Sequence, residues 1–315
     1  MALNPVPIAT TGATHTAQQF RMMIKDLARG NEGVTTGLDL KVTALGTPGS
    51  GVQISAGSAV IAGKVSPIQG HYSAYNIGSD TVDIAATGST PRSDMIVLRV
   101  EDPDYEGTLD PAVNPIVYWE VVPNVGLATT VPSGYTAIPI ARIDIPDTTA
   151  TITNSMIKDL RKVANPRRDR ILTPYYASGA LTEISGTTST WKTHPNVTLA
   201  TLAIPAWAAS AKIVCSAYGL RLDTGNVYAA FRFLLGTVEA AQAVVIDDND
   251  GPGARRTYVE MVETIDLTTT AGAALRGTNQ ALKARMRTDP LNAGAIGVDS
   301  TTTFKVDVEF LEGPL

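Results

Sequence analysis

The chain has 315 residues, with 27 Gly, 19 Pro, one Cys, 17% charged residues and a formal net charge of −5. Since a globular domain typically has about 100–200 residues, the length predicts about two domains. The acidic balance excludes a general electrostatic surface for nucleic acid, and the single Cys excludes an intrachain disulfide or a thiolate zinc site. A composition rich in Thr, Val, Gly and Pro favours strands and turns, so we expect a mostly β protein.

The N-terminal residues MALNPVPIATTGATHT contain neither a basic region nor a continuous apolar run. We therefore expect no secretory signal peptide and no export by the ordinary secretory route. No apolar run approaches the roughly 20 residues of a membrane helix, so we also expect no membrane span.

The first predicted element is a helix at about residues 16–28. Thr16 and Gln19 have the spacing of a capping box, and Gly30 follows where a helix would end. The apolar residues recur at helical spacing and form one stripe: Phe20, Met23, Ile24 and Leu27. We expect this stripe to be buried against a sheet or a neighbouring subunit.

Short strand-like segments separated by Gly and Pro follow, which predicts a β-meander. The strongest is 93–101, whose apolar run Met95–Leu98 is typical of a central strand with both faces buried. Residues 154–163 resemble a short helix, and residues 164–175 are charged and lack an apolar period. These features predict an N-terminal β domain at 1–163, a charged linker at 164–175 and a C-terminal domain at 176–315.

The C-terminal half contains closely spaced strand-like segments and no convincing helix. The candidate strands are 197–204, 211–218, 226–235, 241–246, 255–267, 280–288 and 301–311. In the last of these, Phe304 and Phe310 belong to a strict alternation of apolar and charged residues. We therefore expect an antiparallel β-sandwich of the jelly-roll type.

The sequence contains no recognisable catalytic motif, and His15, His71 and His194 are each isolated. We therefore expect a protein that is not an enzyme and that needs no cofactor. Two acidic loops offer carboxylates that could hold a hard cation such as Ca²⁺: Asp102 and Asp104 in one, Asp247 and Asp250 in the other. Neither loop has the order of an EF-hand, and solvated turns are the preferred interpretation, so we assign no metal.

Trp191 lies in the loop-like stretch 189–194 and is the aromatic residue that we most expect to be exposed. An exposed indole could contact a glycan, whereas core packing is the alternative.

Several motifs occur in a recognisable order in the first half of the chain: Pro91–Val100, Ala141–Pro146 and Ile152–Arg161. This series resembles the N-terminal domain of minor tail and baseplate proteins of long-tailed bacteriophages, particularly phages of actinobacteria. The second half, which ends in Val306–Pro314, is similar to the β domain that such proteins often carry. The resemblance therefore extends over nearly the whole chain.

The resemblance implies a structural component of a phage tail tip or baseplate. Its partners would be other tail proteins and further copies of itself, and the favoured oligomer is a homotrimer. The protein would be assembled in the host cytoplasm and located in the virion tail. The alternative is a receptor- or carbohydrate-binding protein that attaches to host cell-wall glycans through Trp191. A tail-borne wall hydrolase is the third possibility, and the missing catalytic signature disfavours it.

Four charged residues frame the motifs of the first half. Arg92 and Asp94 begin the apolar strand, and Asp159 and Arg161 lie at the predicted domain boundary. Charges next to a buried strand are costly unless they are paired. We therefore expect Arg92 or Asp94 to pair with Asp159 or Arg161 and to hold the strand against the boundary segment.

Overall fold

The computed structural model describes residues 8–186, 190–249, 253–289, 291 and 294–315. It confirms a mostly β chain with a short N-terminal helix and several antiparallel sheets. The chain divides into two compact units, the first ending at Pro166 and the second beginning at Arg167. Among the described residues, no helix has the length and apolar character needed to cross a bilayer.

The first unit contains helix α1 (Ala17–Leu27) and three antiparallel sheets. Its strands are β1 (Gly33–Val34), β2 (Val42–Ala44), β3 (Gly51–Ile54), β4 (Gly57–Ala62), β5 (His71–Asn76), β6 (Asp80–Asp83), β7 (Arg92–Val100), β8 (Val117–Val122), β9 (Ala137–Ile145) and β10 (Ile157–Asp159). The strand orders are β1-β4-β5, β2-β3-β6 and β10-β9-β7-β8.

Strand β7 is the centre of the first unit. It lies between β8 and β9, and its residues Met95–Leu98 are all buried. Met95 and Val97 pack in one small cluster, whereas Ile96 and Leu98 pack in the main core. The prediction of a central strand with two buried faces is therefore confirmed.

Helix α1 begins as the sequence predicts but buries a different face. The capping box of Thr16 and Gln19 is present. Leu27 of the predicted stripe is 73% exposed, and Phe20 is exposed as well, while Arg21 is buried. Arg21 points inward, where its guanidinium donates to the Gln69 carbonyl and to Asp102. Met23 and Ile24 of the stripe are half-buried, so the chain itself covers only part of the predicted stripe.

The helix expected at residues 154–163 is also wrong. A 3-10 turn occupies Asn154–Met156, and β10 (Ile157–Asp159) then pairs antiparallel with β9. So short a segment is a marginal helix, because helix nucleation costs more than a few hydrogen bonds return. Pairing with the edge of β9 satisfies its backbone instead.

Most of the segment expected to be a linker, 164–175, is strand. Strand β11 (Arg168–Tyr176) pairs with the last strand of the chain over its whole length. Its three charged residues are consecutive at the start of the strand (168–170), which gives this stretch the composition of a linker, whereas Ile171 and Tyr175 further along pack against the core. Pro174 is compatible with the strand because β11 is at a sheet edge.

The second unit contains the remaining strands and helix α2 (Thr270–Ala273). After β11 they are β12 (Thr182–Ile184), β13 (Lys192–Thr193), β14 (Ala200–Ala203), β15 (Ala208–Leu222), β16 (Val227–Leu235), β17 (Val238–Glu239), β18 (Val244–Asp248), β19 (Arg255–Asp266), β20 (Asn279–Thr288), β21 (Ile296–Val298) and β22 (Thr303–Glu312). Each strand predicted in this half is present.

Two antiparallel sheets of the second unit share one hydrophobic core, as in a β-sandwich. The first sheet has the order β11-β22-β15-β21-β12, with β19 paired to β15. The second has the order β13-β20-β16-β17, with β14 paired to β20 and β18 paired to β16. Phe304 and Phe310 of the first sheet and Phe231 and Phe233 of the second are fully buried in the common core.

Candidate functional site

The four charged residues of the first-unit motifs pair within their own segments. Arg92 Nε lies 2.8 Å from Asp94 Oδ1, and Arg161 Nη2 lies 2.7 Å from Asp159 Oδ2. The expected pairing between the two segments is therefore wrong. Residues i and i+2 of a strand point to the same face, which places Arg92 beside Asp94. Arg161 follows the end of β10, and its backbone N–H also donates to Asp159 Oδ1 at 3.0 Å.

The same spacing recurs along the sheet of the first unit. Arg142 Nε lies 2.7 Å from Asp144 Oδ1, and Arg99 Nη2 lies 2.8 Å from Glu101 Oε1. The hydrogen bond from Arg142 holds the pKa of the Asp144 carboxyl below its usual range. A basic and an acidic residue two apart in a predicted strand is a signal that the sequence offers for these pairs.

Asp102, one of the metal candidates, belongs to a buried network under helix α1. Arg21 Nη1 donates to Asp102 Oδ2 at 2.9 Å, and the Tyr72 hydroxyl donates to the same oxygen at 2.8 Å. Burial, together with the bond to this carboxylate, raises the pKa of Tyr72. Asp104 Oδ2 lies 3.6 Å from Arg21 Nη2. The carboxylates of this loop therefore serve to hold Arg21.

The second acidic loop is engaged in a similar way. Asp248 Oδ1 lies 2.8 Å from Arg255 Nη2, and Asp247 accepts a hydrogen bond from Asn249 Nδ2 at 3.2 Å. Asp250 lies outside the described residues. Over the residues that the structure describes, no three His, Cys, Asp or Glu side chains are grouped to hold a metal ion.

Two histidines and the cysteine lie in buried surroundings. His71 and His194 are buried, and burial lowers the pKa of His194, which keeps its imidazole neutral near pH 7. Cys215 is fully buried between core side chains, and burial raises the pKa of its thiol to about 12. A thiol in this state is a poor nucleophile because the thiolate is the reactive form.

Trp191 is half-buried beneath arginines, which corrects the expectation of an exposed indole. The guanidinium carbon of Arg232 lies 4.2 Å from the ring centroid, and that of Arg287 lies 4.8 Å from it. Arg285 donates to the Trp191 carbonyl at 2.8 Å, and both Arg232 and Arg285 contact Glu239. We call these five residues the arginine–tryptophan cluster. A sugar could stack on this indole only by competing with the guanidinium groups.

Three tyrosines lie in one row across the outward face of the first sheet of the sandwich. Tyr176 on β11 and Tyr218 on β15 are both in register with Thr303 on β22, and Tyr218 is in register with Tyr258 on β19. The rings of Tyr218 and Tyr258 stack at 6.4 Å between centroids and 15° between planes. Tyr176 and Tyr258 are 70% and 71% exposed.

A second apolar row lies two rows away on the same face. In this row, Leu172 on β11 lies opposite Asp307 on β22, and Val262 on β19 lies opposite Val214 on β15, which is itself opposite Asp307. Leu172 and Val262 are exposed. We call the exposed members of the two rows the tyrosine face: Leu172, Tyr176, Tyr218, Tyr258 and Val262. The alternation in each strand predicts that these side chains point outward, but only the register between strands brings them together.

A cleft of about 540 Å³ adjoins the tyrosine face beside β18 and β19. Its lining includes Asp247, Tyr258 and Glu260. A second, shallow depression of about 380 Å³ is lined by Tyr218, Arg256 and Tyr258. Tyr258 therefore lines two concave surfaces, each of which also includes at least one charged side chain.

Comparison with known proteins gives no family for the chain. No protein-family model matches it, and no curated protein matches it. Among solved structures, the VP2 subviral particle of infectious bursal disease virus aligns with 96% of this chain and 83% of that chain, at 11% identity and a TM-score of 0.27. The T13 particle of the same virus aligns with 95% of this chain and 85% of that chain, at 14% identity and a TM-score of 0.19. Likeness at this level does not establish a shared fold or function.

Proposed function

We propose that the chain is a non-enzymatic structural protein of a virion, built into the tail tip or baseplate of a long-tailed phage. The observation that carries this proposal is the tyrosine face of the second unit. This face carries exposed aromatic and aliphatic side chains on both sides of a row with charged residues, and exposed apolar groups gathered on one face commonly mark interaction sites. The ordered motifs of the first half supply the assignment to a phage tail.

The occupant that we propose for the tyrosine face is a second copy of this chain. Between the two apolar rows, Lys305 and Glu260 lie in one register, with their charged atoms 3.8 Å apart. A face that carries both signs in this way can complement itself when copies are related by rotation. Contact of the same face on two copies would give a two-fold dimer, whereas the phage-tail resemblance implies a trimer, in which this face meets a different part of the next copy. In either case the assembly is a closed homo-oligomer, and its mass distinguishes the two.

The first unit would contact the other tail proteins. Phe20 and Leu27 of α1 are exposed apolar residues on one side of this short helix. The charged residues of the motifs, by contrast, pair with each other inside the first unit, Arg92 with Asp94 and Arg161 with Asp159. Docking through α1 would therefore leave the sheet unchanged.

The chemistry of the described residues supports a role without catalysis. Asp102 is held by Arg21, Asp248 is held by Arg255, and the thiol of Cys215 is fully buried. These are the groups that would otherwise have been candidates for metal binding or nucleophilic attack.

The test is the mass of the full chain in solution by light scattering, with and without EDTA. We expect a homo-oligomer whose mass does not change with the chelator. The double variant Tyr258→Ser, Val262→Ser should shift the mass to that of one chain. The matched control is Tyr75→Ser, since Tyr75 is 74% exposed but lies in the first unit. A wild-type chain that stays monomeric at every concentration would contradict the proposal.

A second candidate function is attachment to a host glycan, which the cleft beside Tyr258 favours. Aromatic rings and carboxylates such as Asp247 and Glu260 suit a sugar, because the ring packs on its apolar face and carboxylates accept from its hydroxyls. Binding of a monomeric chain to host cell walls, lost in Tyr258→Ser and retained in Trp191→Phe, would favour attachment over assembly.

A further inference from the structure

A line of cations runs along the outward face of the second sheet of the sandwich. Lys283, Arg285 and Arg287 on β20 alternate with fully buried Leu282, Ala284 and Met286. Since side chains two apart share a face, the three cations point outward together. At about 3.4 Å per residue, neighbouring cations are about 7 Å apart along the strand and the line spans about 14 Å.

The neighbouring strand adds a fourth cation at the same place. Arg232 on β16 lies directly opposite Arg285. Like charges at directly opposed positions of an antiparallel pair destabilise the sheet unless something compensates. Glu239 contacts both guanidinium groups, with its Oε1 3.3 Å from Arg285 Nη2. One carboxylate is thus shared by two arginines, and Lys283 adds a further positive charge to the same face.

The cluster also orients its donors before any ligand arrives. Trp191 stacks with the guanidinium groups of Arg232 and Arg287, and its carbonyl accepts from Arg285. A guanidinium held by its face keeps its N–H edge for anions, which it binds through paired donors. Within the described residues, Nη1 of Arg232 and Nη1 of Arg285 make no hydrogen bond.

We propose that this face binds an anionic polymer that carries repeated phosphate or carboxylate groups. The linear spacing of the three β20 cations fits a chain of regularly spaced charges, whereas a single small anion would occupy one position. Guanidinium groups suit both phosphates and carboxylates, because their planar fork matches the oxygen pairs of either group. A polymer along β20 would relieve the repulsion between Arg232 and Arg285.

The test is calorimetric titration of the full chain at low ionic strength with polyphosphate, polygalacturonate and neutral dextran. We expect binding to one or both charged polymers and none to dextran. The charged polymer that binds more tightly shows whether the face prefers phosphate or carboxylate groups. Arg285→Gln should weaken binding at least tenfold. The matched control Arg168→Gln removes the same charge from the outward face of the other sheet and should change the affinity less than twofold.

Equal weakening by Arg285→Gln and Arg168→Gln would overturn the proposal, because it would show diffuse electrostatic attraction. Failure of both charged polymers to bind would also overturn it. If Arg285→Gln does not fold, Lys283→Gln provides the second variant, since Lys283 has no ion pair among the described residues, and it should weaken binding severalfold. Because the cluster and the tyrosine face lie on different sheets, Tyr258→Ser should retain polymer binding whatever its effect on mass.

Discussion

The two units treat their polar and aromatic groups in opposite ways. In the first unit, Arg21 is buried with Asp102 and Tyr72 bound around it, so the network is closed on itself. In the second unit, the rings of Tyr218 and Tyr258 stack on each other, and both side chains are exposed to solvent. The first arrangement holds a fold together, and the second offers a surface to a partner.

This contrast suggests different roles for residues of the same type. Tyr72 is structural, because burial and the carboxylate of Asp102 fix its hydroxyl. The ring of Tyr258 is exposed, and we propose it as a contact residue. Removing groups from the first unit should therefore cost stability, and removing groups from the tyrosine face should cost assembly.

The largest expected effect is in the closed network of the first unit. Asp102→Ala leaves the buried guanidinium of Arg21 without its main acceptor, and we expect a loss of about 3–5 kcal/mol in the free energy of unfolding. Urea denaturation measures it. The control is Asp104→Ala, because Asp104 is 70% exposed at 3.6 Å from the same arginine and should cost less than about 1 kcal/mol. Equal losses in the two variants would show that the network is not closed around Asp102.

The next effect concerns pairing within a strand. A double-mutant cycle on Arg92 and Asp94 should give a coupling energy of about 0.5–3 kcal/mol, because Asp94 is buried and bonded to Arg92 Nε. The cycle between Arg92 and Asp159 should give a coupling near zero. A larger coupling in the second cycle would restore the pairing between segments that the motifs first suggested.

A smaller effect depends on pH and lies at the rim of the tyrosine face. Hydrogen bonds from Arg256 hold the pKa of the Asp299 carboxyl well below its usual range. The unfolded chain therefore binds this proton more readily, so the pair contributes stability above about pH 4, which is lost as the pH falls further. Since Arg256 is 43% exposed, we expect a contribution below about 1 kcal/mol. Thermal unfolding measures this effect. Between about pH 5 and pH 2, Asp299→Asn should lose less stability than the wild type, because the variant has no carboxyl to protonate.

The smallest expected change in stability is on the tyrosine face itself. Tyr258→Ser should leave the unfolding free energy of the dissociated chain within about 0.5 kcal/mol of the wild type, because the ring is exposed. Denaturation at high dilution measures it. A loss of several kcal/mol would place Tyr258 among the structural residues and remove the contrast between the units.

Local patterns in the sequence predict much of this fold. The capping box of α1, the doubly buried run Met95–Leu98 and the alternation of β22 were each sufficient to predict their elements. The helix expected at residues 154–163 does not form, because residues 157–159 pair with the free edge of β9 instead. An edge that needs a partner is a property of the tertiary structure and has no local signal.

The candidate surfaces depend on strand register, which the sequence does not encode locally. Tyr176, Tyr218 and Tyr258 are far apart in the chain and share a row only through three strand pairings, β11 with β22, β22 with β15, and β15 with β19. Arg232 meets Arg285 for the same reason. The i, i+2 acid–arginine pairs, by contrast, could have been predicted, because the spacing within one strand determines them.

The central claim is that another copy of the chain covers the tyrosine face. Hydroxyl-radical labelling across a dilution series, read by mass spectrometry, tests it on the residues themselves. We predict that labelling of Tyr218 and Tyr258 falls as the concentration rises through the assembly transition, whereas labelling of Tyr75, exposed on the first unit, stays constant. Labelling of Tyr258 that is independent of concentration, while the mass increases, would contradict the account.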